Sequence, residues 1–138
     1  MRLNPSFRYA VYGAYAVLFV TGVAWFAADV LKDAANGEFF QQLGAKMLML
    51  HGGTAMVALL FLGALVPLHM RLAWRAKRNR VMGAIMVALN ATLILTAFAL
   101  YYLGSETLRP WMSNIHWYVG LMFPLLLSLH VALGRRTS

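Results

Sequence analysis

The chain has no cysteine. That absence excludes disulfides, iron–sulfur clusters, thiolate metal sites and haem attached covalently through Cys-x-x-Cys-His. Charge is scarce too: only 12% of the 138 residues are charged, against about 25% in a typical soluble domain. Acids are the scarcest, four against twelve Lys and Arg. Long polar stretches are missing as well, so no loop is long enough to build a soluble catalytic domain. The segments Asp33 to Ala45 and Gly104 to Trp111 are the largest pieces outside the apolar runs on their side. What fills the chain is apolar: 62% hydrophobic residues, with a mean hydropathy of +0.67. A 15.4 kDa soluble fold cannot hide that much apolar surface, so a bilayer is its natural solvent.

Four apolar runs cover about Tyr9 to Val30, Met47 to Met70, Val81 to Leu103 and Met112 to Leu133. Each is about 20 residues or longer, enough to cross a hydrocarbon core of ~30 Å as a helix. Asp33-Ala34-Ala35-Asn36-Gly37, then Arg71 to Arg80, then Gly104-Ser105-Glu106-Thr107 with Pro110 supply the stops. Short connections predict antiparallel neighbours. The expected fold is therefore all-α: one integral membrane domain over residues 1–138, a four-helix bundle running up-down-up-down.

The net charge of +8 does not call for nucleic acid, because the basic residues flank the spans. Arg2, Arg8, Arg71, Arg75, Lys77, Arg78, Arg80, Arg135 and Arg136 fall on one side. Lys32, Lys46 and Arg109 fall on the other, with Asp29, Asp33, Glu38 and Glu106 at or near it. The positive-inside rule then places both termini in the cytoplasm. Trp25, Trp74, Trp111, Trp117, Tyr101 and Tyr102 lie near span ends, as interfacial aromatics do. A cleaved signal peptide ending near Ala27-Ala28 is a competing reading. It requires an unusually long apolar core and puts the termini of the product on opposite sides.

Only four histidines exist, and they lie on two spans: His51 and His69 on the second, His116 and His130 on the fourth. Ionisable side chains are costly at membrane depth, so each is a functional candidate. On an unbroken α-helix His51 and His69, eighteen residues apart, share a face about 27 Å apart in rise. His116 and His130, fourteen apart, nearly share one at about 21 Å. The second and fourth spans run in the same direction, which pairs His51 with His116 on the outer side and His69 with His130 on the inner side. Two imidazoles close both axial positions of a haem iron, so each pair is a candidate ligand set for one non-covalent b-type haem. Kinks at Pro67 and Pro124 are available to absorb the difference in rise.

Thr54, Ala55, Ala58, Leu62 and Leu65 share the face of the second span, and Val119, Gly120, Phe123 and Leu127 that of the fourth. Small residues there, with Gly52 and Gly53 close by, leave room for a macrocycle or serve close helix packing. Gly53 and Gly120 are accordingly candidates for packing on haem. Arg71, Arg75 and Arg135 are candidates for haem propionates on the inner side, and Lys46 and Arg109 on the outer; all of them also read as topology determinants. Imidazole equally suits Zn, Cu or Ni, methionine is another possible axial ligand, and histidines near span ends, His69 and His116, also serve as interfacial hydrogen-bonding residues. Asn90 and Thr92 in the third span read as interhelical hydrogen-bonding residues.

Further sequence signals point to a family. His51-Gly52-Gly53 running through an apolar stretch to Arg71-Leu72-Ala73-Trp74-Arg75 resembles the bacterial cytochrome b561 and Ni-Fe hydrogenase cytochrome b group. His116-Trp117-Tyr118 through Leu129-His130 is similar to that group's last haem-binding span, and Thr21-Gly22 late in the first span is similar too. The resemblance departs where relatives carry a ligating histidine near the start of the first span; this chain has Arg8-Tyr9-Ala10-Val11-Tyr12 there. His69 then has to supply the inner ligand, as in small four-span cytochromes related to the group. The resemblance implies a multi-pass protein of the bacterial cytoplasmic membrane that carries two b-type haems. It implies electron exchange with a quinone or a redox protein, such as a periplasmic cytochrome or a dehydrogenase, as a subunit of a larger complex or a homodimer. A stand-alone haem oxidoreductase acting on quinone or a small oxidant is the alternative within that class; a haem-free anchor or a metal-ion transporter is the alternative outside it.

Overall fold

The computed structural model describes residues 4–33, 36–77 and 79–136. Arg2, Ala34, Ala35 and Arg78, used above for topology and span boundaries, lie outside the described residues. The fold is all-helical, and among the described residues there is no strand. Its elements are α1 (Pro5–Leu31), α2 (Gly37–Leu65), a π-helical turn (Val66–Met70), α3 (Arg71–Arg75), α4 (Arg80–Tyr102) and α5 (Leu108–Arg136). Among the described residues four helical stretches are long and apolar enough to cross a membrane: Pro5–Leu31, Gly37–Arg75, Arg80–Tyr102 and Leu108–Arg135. This is the make-up of a multi-pass membrane protein.

The helices outrun the apolar runs that announce them. Asn4 and Pro5 start α1 four residues before Tyr9: the Asn4 side chain accepts from the Ser6 N–H at 2.9 Å, and Pro5 sits where no N–H is needed. The helix continues to Leu31, where Lys32 pairs with Asp29 at 2.9 Å. The hydrogen bond to that carboxylate raises the Lys32 ammonium pKa above its usual value. The second helix begins at Gly37, ten residues before Met47, so most of the expected exposed segment Asp33 to Ala45 is helix. Its polar residues (Glu38, Gln41, Gln42, Lys46) hide this from hydropathy alone.

The chain divides into two compact units, residues 1–69 and 70–138, each built on an antiparallel helix hairpin. In the first unit, Val11, Ala14, Thr21 and Ala28 form the buried stripe of α1, at spacings of three and seven. Gly44 and Ala58 are the buried residues of α2, with His51 midway between them. A β-carbon built on Gly44 would stand 3.6 Å from that of Ala28, so small residues are what let these helices approach. Phe7 meets Phe61 edge-on at 5.6 Å toward the other end. The order of these contacts, Ala28 with Gly44 and Phe7 with Phe61, is antiparallel.

In the second unit, Met86 and Thr96 are the buried residues of α4, and Phe123 is buried on α5. Gly120 faces Leu93, and Asn79 reaches the His130 carbonyl at 3.4 Å, again an antiparallel order. The turn into α4 uses left-handed backbone at Lys77 (φ 55°) and Asn79 (φ 45°); asparagine tolerates that region better than most residues. Arg80 closes the C-terminus of α3 by donating twice to the Trp74 carbonyl, at 3.0 and 2.8 Å, with its guanidinium 5.0 Å from the Trp74 ring centroid. Arg109 does the same for α4, donating to the Leu100 carbonyl at 2.9 Å. Large apolar side chains such as Met49, Leu60, Val81 and Leu95 are exposed, as expected of surfaces solvated by lipid.

Candidate functional site

The histidines sit on the second long helix of each hairpin, and in each hairpin a threonine on the first helix meets one of them. In the first unit Thr21 Oγ1 lies 3.1 Å from His51 Nδ1. In the second, Thr96 Oγ1 lies 2.9 Å from His116 Nδ1. These two threonines are the buried polar residues among the described residues, at 3% and 5% exposure. Each hydroxyl also reaches back within its own helix. Thr21 donates to the Val17 carbonyl at 2.6 Å, and Thr96 to the Thr92 carbonyl at 2.7 Å.

Those bonds bear on the donor and acceptor roles. A hydroxyl has one hydrogen and two lone pairs. A threonine that gives its hydrogen to the i−4 carbonyl is left to accept from the ring, an arrangement that puts the proton on Nδ1 of His51 and of His116. The lone pair of each neutral imidazole is then on Nε2. Metal-ligating histidines nearly always donate their other ring N–H to a fixed acceptor, which sets the tautomer and the ring plane. The donor set thus has the chemistry of an axial haem ligand twice over, and it fits the group the sequence suggests. Among the described residues no three His, Cys, Asp or Glu side chains cluster as a metal site built from those donors requires.

The two seats differ at the residue after the threonine. A β-carbon on Gly22 would stand 3.3 Å from His51 Cε1 and 3.6 Å from Nδ1. The bare backbone after Thr21 is what admits the ring so close to α1. The residue after Thr96 is Ala97.

No family model, curated protein or solved structure matches the chain. The site therefore stands on its own geometry.

The other pair of histidines lies at different positions in the fold. His69 belongs to the π-helical turn Val66–Met70. Pro67 explains that turn: it lacks an N–H, and its ring crowds the carbonyl four residues back, while an i→i+5 turn adds a residue and relieves the crowding. The five-turn projection from His51 to His69 assumed an unbroken α-helix, so it does not carry across the π turn to His69. His130 lies near the end of α5, and its carbonyl accepts from Asn79. Pro124 interrupts the α5 ladder, and Ser128 donates to the Pro124 carbonyl at 2.8 Å.

The remaining candidates separate. Gly53 is exposed with nothing within 4 Å of a built β-carbon, which leaves its face open. A β-carbon built on Gly120 would stand 4.0 Å from Leu93 Cδ2, so this glycine faces α4. Ala58 and Phe123 are already buried by protein. Arg71 and Arg135 are exposed; Arg71 lines a shallow open concavity with Met70, Trp74 and Arg75. Arg109 caps α4. Asn90 donates to the Met86 carbonyl and Thr92 to the Ala88 carbonyl, each within its own helix.

Sequence reasoning missed the threonines as histidine partners. Thr21 entered only through a dipeptide resemblance, and Thr96 did not enter at all, because α4 has no histidine. The available signal was a hydroxyl in the middle of each histidine-free helix that leads into a histidine-bearing one.

Proposed function

We propose that the protein is a di-haem b-type membrane cytochrome that carries electrons between a quinone or other redox partner and a second redox protein. His51 and His116 are the axial ligands of the outer haem, and His69 and His130 those of the inner one. Both termini face the cytoplasm of a bacterial cell, the orientation favoured by its basic residues. The observation that supports this reading is the repeated Thr–His hydrogen bond at Nδ1 of His51 and of His116, which leaves Nε2 of each ring for a ligand. Bound haem supplies a one-electron iron couple, and the chain supplies ligation, burial and the tuning of that couple.

The roles of the chain follow from its residues. Thr21 and Thr96 orient the two outer imidazoles. The π turn sets the direction of His69, and Asn79 ties the backbone at His130 to the start of α4. Arg71 and Arg135, both exposed, serve propionates of the inner haem or the aqueous interface. With no soluble catalytic domain among these elements, the protein works as an electron-transfer subunit.

The test is a reduced-minus-oxidised absorption spectrum of the purified chain with haem quantified per protein. Two low-spin b-type haems are expected. One haem overturns the pairing of His69 with His130. A folded preparation that takes up no haem when supplied with it overturns the whole reading in favour of a haem-free anchor or a metal transporter.

A further inference from the structure

Resting on the haem reading above, we infer that Thr21 and Thr96 are positioning residues that lock His51 and His116 as Nδ1–H tautomers and lower the potential of the iron those imidazoles ligate. A threonine in the middle of a helix commonly bonds its i−4 carbonyl and does nothing more. Here both threonines also meet a ring nitrogen, at 3.1 and 2.9 Å. Each is shielded from water, so no solvent molecule competes for the hydroxyl. Giving its hydrogen to a carbonyl polarises the hydroxyl oxygen and makes it a better acceptor from Nδ1–H.

The consequence is electronic as well as geometric. An imidazole that donates through Nδ1–H becomes a more basic ligand at Nε2. A more basic axial ligand stabilises ferric over ferrous iron and lowers the potential, and hydrogen bonding around the ligand is one of the levers a protein has on haem. The Thr–His contact recurs in both hairpins, with the Leu18 backbone as a second hydrogen-bond partner of the His51 ring, so both ligands of one iron are tuned in the same direction. Both contacts act on the same iron in the same direction, so losing both shifts it further than losing either. Gly22 belongs to the device in the first hairpin, because a side chain there would press on the ring that Thr21 holds.

The test uses Thr21→Val and Thr96→Val, which keep the shape and remove the acceptor, with Thr21→Ser and Thr96→Ser, which keep it. In spectroscopic redox titration of the haem-loaded protein, each valine variant shifts one haem to higher potential. The double variant shifts it further, and the serine variants stay with the wild type. Potentials unmoved in valine variants that retain two haems overturn the proposal, as do serine variants that shift as far as valine ones. A second readout needs no haem: ¹⁵N NMR of the histidine rings in the haem-free chain in lipid. His51 and His116 are expected as Nδ1–H tautomers, with that preference weakened in the valine variants, less so at His51, whose ring also hydrogen-bonds the Leu18 backbone. Nε2–H rings in the wild type overturn the tautomer lock even where haem binds. Nδ1–H rings in a chain that refuses haem uphold the lock while the cytochrome reading fails. If the valine variants do not fold, the wild-type rings and the serine variants still decide.

Discussion

The two hairpins reach the same contact by different routes. In the first, threonine and histidine are 30 residues apart in sequence; in the second they are 20 apart. The difference lies in the helical arms, not in the turns, because the connections 32–36 and 103–107 are equally long. The first hairpin carries an extra stretch of α2 between its turn and the apolar run. In the second, Thr96 and His116 both lie closer to the turn between Tyr102 and Leu108. The Thr–His contact is thus fixed by antiparallel register and by helix face, and its distance from the turn is free to vary. It also teaches that the seats need not match in shape: the first needs Gly22, and the second has Ala97 at the corresponding place.

The largest expected effect tests whether the hairpins work as equals. His51→Ala and His116→Ala, one in each, are each expected to remove one haem of two, and the double variant is expected to lose no more than that. Haem per chain from a pyridine haemochrome assay is the measurement. Loss of different haems, seen as a double variant without any, breaks the pairing. His69→Ala is expected to remove the other haem and leave the first intact.

Next comes the turn. A β-carbon on Gly37 would collide with the Lys32 carbonyl, so the backbone must move to accept alanine. Gly104, in the other turn, has nothing within 4 Å of that position. Gly37→Ala is expected to cost about 1–3 kcal/mol and Gly104→Ala to stay within about 0.5 kcal/mol, typical of strained and of surface positions. Unfolding midpoints in a mixed detergent system decide it. Equal effects would mean that the first turn relaxes freely.

Much of this fold is legible in the sequence, because membrane spans announce themselves by length and hydropathy. Each apolar run falls on a long helical stretch to within a residue, and the basic cluster Arg71 to Arg80 falls around a break. Two features resist such reading. The helical stretch Gly37 to Lys46 is amphipathic and polar enough to pass for a loop, since its helicity comes from continuity with α2. The π turn at Val66–Met70 depends on how the backbone resolves the clash at Pro67, and a straight helical wheel cannot represent it. The site is half legible: histidines stand out because they are costly in lipid, whereas a threonine that satisfies itself on its own helix leaves no mark. Only the antiparallel register brings Thr21 to His51 and Thr96 to His116.

A subtler expectation concerns the residue after each threonine. Gly22→Ala pushes a methyl group against a ring 3.3 Å away, and the ring must give by a few tenths of an ångström. The haem ligated by His51 is expected to stay bound but to change its low-spin electron paramagnetic resonance signal, which reports the orientation of the axial imidazoles. Ala97→Gly in the other hairpin removes a methyl group and is expected to leave that signal in place. An unchanged signal in Gly22→Ala would show that the ring is free to slide along α1, and the role given to Gly22 would fall.

The smallest effect is the sharpest control on the comparison. Thr92 and Thr96 lie one turn apart on α4, and both hydroxyls bond an i−4 carbonyl, Thr92 to Ala88 at 2.9 Å and Thr96 to Thr92 at 2.7 Å. They differ in what else they touch, since only Thr96 is hydrogen-bonded to an imidazole. If the back-bond to the helix were the reason for threonine at these places, valine would act alike at both. If holding the ring is the reason, Thr92→Val leaves stability within about 0.5 kcal/mol and leaves both haem potentials unmoved, while Thr96→Val shifts one. The backbone carbonyl of residue 92 that Thr96 uses survives the substitution, so the control does not disturb the contact it is compared with. A potential that moves equally in both variants would assign the effect to the helix and not to the hydrogen bond on His116.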